Sequence, residues 1–316
     1  MNVNLYLHKD TFCYNGIDSY NEFMQKLQSL TGDLSLIKSS KSCNAPHIFI
    51  SSSLNEIKVF KDRDILNVAS ELGHEESILL YSILGNTSDI CNKPLEDVKE
   101  MCKYRSDEEE CNTIVFLNKP VCDETPISTQ PYMQFDSYEI IYNYQNWTTL
   151  ERQILGNHPE NPEHFYCECI RLFPNLYFHK NCENTLPEVY DKVPRAIVYH
   201  LSCLNDKFKN FLNSTKNKQA NDILMQFAGK YHLCEGSLNR SDEFKKKLTF
   251  DFPITEECKK FKKEYCDPHY KLDNYDDNYQ GRKESNGKLY ARIYFFFGDE
   301  EVLNGRILIG WIGKHA

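Results

Sequence analysis

At 316 residues the chain has room for two domains, or for one large domain with a decorated core. Its hydrophobic content of 41% and charged content of 26% are those of an ordinary globular protein, and 20 Tyr with 19 Phe can fill large cores. The formal net charge of −9 excludes a general nucleic-acid coat, which needs a basic surface to displace counterions, while leaving room for a local basic cleft.

No charge-free apolar stretch approaches the roughly 20 residues that span a bilayer. The opening "MNVNLYLHKDTF" lacks the basic and apolar regions of a signal peptide. Membrane insertion is therefore not expected, and the cytoplasm is the expected location. Thirteen cysteines, an odd and scattered set, then read as reduced thiols rather than a disulfide framework. The sequons at Asn86, Asn146, Asn213 and Asn239 carry no glycan in that compartment. The Lys-, Asn- and Tyr-rich composition suits an AT-rich bacterial genome.

Along the chain, "VNLYLH" (3–8) predicts a strand and "SYNEFMQKLQSL" (19–30) a helix with Phe23, Leu27 and Leu30 on one face, ended at Gly32. "DLSLIKS", "HIFIS" and "IKVF" read as short β-type runs, followed by amphipathic helices near 63–72, 75–84 and 95–103 and a buried strand at 113–118. The acidic triplet Glu108, Glu109 and Glu110 reads as a solvated turn. Three prolines in 119–134, without a hydrophobic period, mark a domain boundary. Beyond it come a strand at 138–144, a short helix ended by Gly156, and a helix capped by Asn161 with Pro162 at its first position. A strand at 175–179 precedes a long helix from Pro194 with the stripe Ile197, Leu201, Leu204, Phe208 and Phe211, then the helix "NDILMQFAGKY". The remainder turns to β: "KLTFDF", "HYKL", "ARIYFFF" and "GRILIGWIGKH". The expected fold is α+β: a mixed α/β module over 1–125, possessing a sensing or regulatory role, and a helical plus antiparallel-sheet module over 135–316.

Four soft ligands, Cys167, Cys169, His179 and Cys182, lie within sixteen residues, with His158 and His164 nearby, and raise a zinc reading. Against it, Cys167 and Cys169 are two apart on a predicted helix and so point about 200° apart. His200, beside an apolar stripe, reads as a packing histidine. Nucleotide-binding, hydrolase-elbow and zinc-protease motifs are all absent, and no cofactor is implied.

The last strands carry the remaining candidates. Alternation puts His269 and Lys271 on one face of their strand, and Arg292, Tyr294 and Phe296 on one face of the next. In the final strand it places Arg306, Leu308 and Gly310 on one face and Ile307, Ile309 and Trp311 on the other, before Lys314 and His315. Gly310 and Gly313 allow a bulge or a close backbone approach. The set His269, Lys271, Arg292, Tyr294, Lys314 and His315 suits RNA phosphodiester cleavage without a metal: a base for the 2′-hydroxyl, an acid for the leaving oxygen, and cations for the phosphorane. The alternative is a sheet whose cations pair with carboxylates.

From 175 onward, the order strand, helix, helix and antiparallel strands, with "RIYF" and a final apolar strand running into Lys314 and His315, resembles the RelE/HigB-like toxin superfamily of bacterial RNases. A similar "H-x-K … RI-x-F … IG-x-IG-x-H" ending also resembles that of uncharacterised bacterial proteins. The toxin resemblance covers about 175–316 and implies mRNA cleavage by basic side chains without a metal, with RNA as partner. It places the functional positions at His269, Lys271, Arg292, Tyr294, Lys314 and His315. The function expected on this basis is a ribonuclease toxin or anti-phage effector controlled by a protein partner or by the first module. The alternative is a non-enzymatic interaction subunit of a defence complex.

Overall fold

The computed structural model describes residues 3–12, 17–39, 46–56, 58–105, 113–116, 127, 138–215, 219–238, 241–272 and 290–316. The segment 119–134 (Ile127 apart), the acidic triplet at 108–110 and the insert 273–288 lie outside the described residues. The fold is α+β. Two compact units divide the chain, one extending to Leu150 and the other beginning at Glu151. No described helix is long and apolar enough to cross a membrane.

The first unit is built on strands β1 (Asn4–Leu7), β2 (His47–Ile50), β5 (Thr113–Phe116) and β6 (Tyr138–Ile141), all parallel in the order β2-β1-β5-β6. Parallel neighbours need long crossovers. These are supplied by α1 (Tyr20–Ser39) between β1 and β2, and by α2 (Ile65–Ala69), α3 (His74–Leu84) and α4 (Leu95–Arg105) before β5. A short hairpin of β3 (Lys58–Phe60) and β4 (Arg63–Asp64) leads into α2, whose first turn Asp64 caps through the Asn67 amide. β1 is paired on both sides, which is why Val3, Leu5, Tyr6 and Leu7 are all buried.

One expectation is overturned here. α1 does not stop at Gly32, and "DLSLIKS" is not a strand but its last two turns. Leu27, Leu30, Leu34 and Ile37 continue the same buried face. A glycine inside a helix costs about 1 kcal/mol. Burying Leu34 and Ile37 returns about 1.5–3 kcal/mol each, so the helix runs through.

The second unit begins within α5 (Tyr144–Asn157) and continues with α6 (Pro162–Leu172), where Asn161 accepts from the His164 amide as the cap and Pro162 opens the helix, as expected. Strand β7 (Leu176–Phe178) and α7 (Asn181–Thr185) follow, then α8 (Pro194–Cys203). The predicted long helix is real but interrupted: Leu204–Phe208 form a π-helical turn before α9 (Lys209–Ser214). Within that turn Asn205 Oδ1 accepts from the Asn175 amide at 2.8 Å, and its carbonyl accepts from Asn175 Nδ2 at 3.1 Å. After α10 (Ala220–Tyr231) come β8 (Gly236–Ser237), α11 (Asp242–Lys247), β9 (Thr249–Pro253), β10 (Phe261–Tyr265), β11 (His269–Lys271), β12 (Ala291–Phe296) and β13 (Ile307–Lys314).

The sheet has five strands in the order β7-β13-β12-β11-β8; its pairs are antiparallel except β7 with β13, which is parallel. The purely antiparallel expectation is thus corrected at one edge. On one face, Ile293, Phe295, Ile307 and Ile309 pack against Phe165, Ile197, Leu201 and Phe227 from the helices. On the other, the β9–β10 hairpin sets Phe250 and Phe252 against Tyr294 and Leu308. β12 is therefore covered on both faces, as its apolar run requires.

Register between β12 and β13 shifts after Tyr294↔Trp311 to Phe295↔Ile309, leaving Gly310 as the extra residue of a bulge. A Cβ at Gly310 would fall 2.5 Å from the Phe250 ring, so glycine alone fits. The bulge moves Trp311 to the face of Leu308, in place of the Ile309 face given by plain alternation.

Candidate functional site

The β11–β12 register places His269 opposite Tyr294 and Lys271 opposite Arg292. Directly opposed residues share a face, so these four side chains form one patch. The His269 and Tyr294 rings are 4.7 Å apart. His315, just past β13, brings its ring to 6.5 Å from Tyr294 and 5.2 Å from Phe244 of α11. Five of the six expected positions therefore converge. Lys314 does not: it pairs with Ala291, whose side chain lies in the helix-side core, and so projects from the opposite face. Its amide donates to Glu188 Oε2 at 3.3 Å, and its carbonyl accepts from Trp311 Nε1 at 2.9 Å.

The patch has a floor and a rim. His269, Arg292 and Tyr294 are buried, with 2%, 5% and 0% exposure, whereas Lys271 is half-buried and His315 exposed. Substrate-sized contacts fall first to the rim. His269 Nδ1–H donates to the Asp267 carbonyl at 3.0 Å, which leaves the Nε2 lone pair available. Burial, and then the charges of Arg292, Lys271 and His315, hold its pKa down to about 4, against the Asp267 hydrogen bond, so the ring is neutral at physiological pH. Although His315 is exposed overall, desolvation of the part of its ring facing Phe244 and Tyr294 lowers its pKa against the hydrogen bond to the Ala316 carbonyl. Arg292, Lys247 and Lys271 lower it further. Arg292 is itself depressed by burial, against the opposing influence of Tyr294 and Glu235. Its Nη1 donates to the Ala291 carbonyl at 2.8 Å.

Lys247 and Glu235 were not legible as site residues. Lys247, at the end of α11, stands 5.7 Å from the Trp311 ring centroid and acts on His315. Glu235 accepts from Lys271 Nζ at 2.6 Å. The run Lys245–Lys247 is visible in sequence, but nothing local says that α11 folds back against β13. Five basic side chains thus act on one another around one sheet face, answered in part by carboxylates. Such a set favours an incoming anion, because the anion's attraction to each charged neighbour offsets their mutual repulsion.

The other candidates resolve differently. His200 is fully buried, with Nδ1 at 2.6 Å from the Ala196 carbonyl and Nε2 accepting from the Cys234 amide at 2.9 Å. Both ring nitrogens are engaged, and burial drives its pKa to about 4. It is a packing residue. Cys167 is exposed while Cys169 is buried, and Cys182 Sγ faces the Ile309 carbonyl at 3.5 Å. Burial pushes the Cys169 and Cys182 thiols well up, which disfavours thiolate ligands. His179 packs its ring 4.9 Å from Phe250. Among the described residues no three His, Cys, Asp or Glu side chains gather in a way that could hold a metal ion, so the geometry does not assemble the zinc set.

In the first unit the carboxyl ends of β1 and β2 carry a polar group of their own. Ser51 donates to Asn92 Oδ1 at 2.6 Å, and His8 Nε2 lies 2.7 Å from the Lys93 carbonyl. Open parallel sheets present ligand sites at such strand ends. No protein-family model, curated protein or solved structure matches the chain.

Proposed function

We propose that the second unit is a metal-independent ribonuclease module of the RelE/HigB-like kind, acting in the bacterial cytoplasm as a growth-inhibiting or anti-phage effector. The observation that carries this reading is the convergence of Lys247, His269, Lys271, Arg292 and His315 around Tyr294. In the proposed reaction the RNA phosphate sits over Lys271 and above Arg292. Neutral His315 takes the proton from the 2′-hydroxyl as that oxygen attacks phosphorus. The bond from phosphorus to the 5′ oxygen breaks, and the Lys271 ammonium supplies the proton to the departing oxygen. Arg292 and Lys271 stabilise the charge on the phosphorane. His269 does not touch the substrate; it supports the Tyr294 ring from beneath. The products are a 2′,3′-cyclic phosphate and a free 5′-hydroxyl. The first unit, or a partner protein, governs access.

The test uses the full chain, a mixed-sequence RNA and excess chelator, read by product end-group analysis. Cleavage to cyclic-phosphate ends that falls at least a hundredfold in Lys271→Ala and His315→Ala supports the reading. Both changes lie on the rim and leave the buried floor intact. Wild-type protein that leaves both free and ribosome-bound RNA whole overturns it.

A second reading, a non-enzymatic interaction subunit, has one observation in its favour: the burial of His269, Arg292 and Tyr294. It predicts that the rim variants retain any growth phenotype of the wild type.

A further inference from the structure

A second recess of the same unit lies at the far end of β7. It is a cleft of ≈ 750 Å³ walled by Tyr177, His179, Lys180, Phe250, Asp251 and Phe261. That volume is typical of a small-molecule site. Its surfaces are flat and aromatic. The His179 ring lies 4.9 Å from Phe250 and 5.4 Å from Phe252, and the Tyr177 ring lies 6.0 Å from Phe252. Phe261 leaves 61% of its surface exposed at the mouth and so presents an open ring face to whatever enters the cleft. Around these faces stand groups of both hydrogen-bonding senses. His179 Nδ1 accepts from the Asn181 amide at 3.2 Å, which puts the neutral ring's proton on Nε2 as a donor. Burial, and then Lys180, lower the His179 pKa and so favour that neutral form. The Asp251 carboxylate is an exposed acceptor, and Lys180 an exposed cation.

The cleft is also tied to the cation cluster through one short stretch of chain. Lys247 acts on His315 and covers Trp311, and Thr249, two residues on, lines the cleft. Lys247 closes α11 and Thr249 opens β9, so the rim cation and the cleft wall sit on consecutive elements separated by Leu248 alone. Stacking faces with edge donors and acceptors, set beside a basic rim, are the parts from which single-strand nucleic-acid sites are made.

We propose that this cleft holds a nucleobase of the RNA strand whose phosphate lies over Lys271 and Arg292. The base stacks on Phe261, with His179 and Asp251 at its edge. The inference rests on the RNA reading above and names the part of the substrate, besides phosphate, that the unit grips.

The experiment measures binding of the full chain to a labelled 2′-O-methyl RNA octamer, which lacks the attacking hydroxyl, and to an octamer of equal charge whose sugars carry no bases. A stacked base contributes about five- to 150-fold in affinity. The wild type is expected to prefer the octamer with bases by at least tenfold. Phe261→Ala should remove most of that preference without changing affinity for the abasic strand, and Lys271→Ala should weaken both strands alike. Equal wild-type affinity for the two strands overturns the cleft inference while leaving phosphate binding intact. If neither strand binds, the RNA reading fails. The cleft is then judged alone, by titrating adenosine and uridine and following the His179 imidazole resonances: a saturable shift lost in Phe261→Ala supports a nucleobase site, and an unmoved spectrum overturns it.

Discussion

Lys271 and Arg292 stand directly opposite each other on β11 and β12, with both side chains on one face of the sheet. Like charges in that relation destabilise a sheet by about 0.2–1 kcal/mol. Here Glu235 answers part of the repulsion, pairing with Lys271 at 2.6 Å and acting on Arg292. That ion pair is open to solvent on the Glu235 side, so it contributes about 0–1 kcal/mol. The arrangement is close to balance, which is the condition under which a bound anion tips it.

The first prediction concerns that anion. Inorganic phosphate at about ten times its dissociation constant should stabilise the native state by about 1.4 kcal/mol, which for a unit of this size raises Tm by about 3–6 °C. Scanning calorimetry in phosphate, against chloride of equal ionic strength, is the measurement. The Lys271→Ala and His315→Ala variants should lose most of the rise. An equal rise in the variants would assign the effect to general salting-out and not to the patch.

The second concerns pH. His269 and His200 both have pKa values held down to about 4 in the folded state, chiefly by burial. Between about pH 4 and the ordinary histidine value of about 6.5, the unfolded chain therefore binds more protons than the native one. The stabilisation is fully present above about pH 6.5 and is lost as pH falls towards 4, by up to about 3 kcal/mol for each ring. Denaturant midpoints measured from pH 7 to pH 4 should fall accordingly. His269→Gln, which cannot charge, should flatten the slope while lowering stability at pH 7. A slope unchanged in that variant would show that His269 titrates normally.

How much of this was legible follows from where each signal resides. The Asn161 cap and the stripe that begins in α8 are local patterns, and local patterns read well. The faces of His269, Lys271, Arg292 and Tyr294 followed from period-two alternation, because no irregularity interrupts those short stretches. Gly310 was visible as a site for a bulge, but its effect on Trp311 was not, since alternation cannot say which residue is the extra one. Gly32 carries the local signal of a helix end, yet it is a tolerated interior position of α1, because the buried face continues at Leu34 and Ile37. Lys247, Glu235 and the burial of the patch floor depend on how α11 and the β9–β10 hairpin return to the sheet. No spacing within the chain encodes that return.

The third prediction tests the bulge. Gly310→Ala would set its new carbon 2.5 Å from the Phe250 ring and 2.7 Å from Cys266 Sγ. Overpacking of this kind costs about 1–3 kcal/mol. Combining it with Phe250→Leu should recover part of that loss, giving a coupling in the double-mutant cycle. Strict additivity, read from urea midpoints, would mean that Gly310 does not meet Phe250.

The last prediction concerns the thiols whose spacing raises a zinc reading. Cys167 is exposed, whereas Cys169 and Cys182 are buried and burial raises their pKa far above the ordinary thiol value. Only the thiolate attacks an alkylating reagent, so protection has two parts, access and ionisation. Native protein treated briefly with iodoacetamide at pH 8, then mapped by peptide mass spectrometry, should show Cys167 modified at least a hundredfold faster than Cys169 and Cys182. After unfolding in urea the three rates should come within a few-fold of each other. Added zinc should leave the native pattern unchanged, because Cys167 and Cys169 face different surroundings. Zinc that protects Cys167, Cys169 and Cys182 together would show that the helix rearranges to bring the thiols onto one metal.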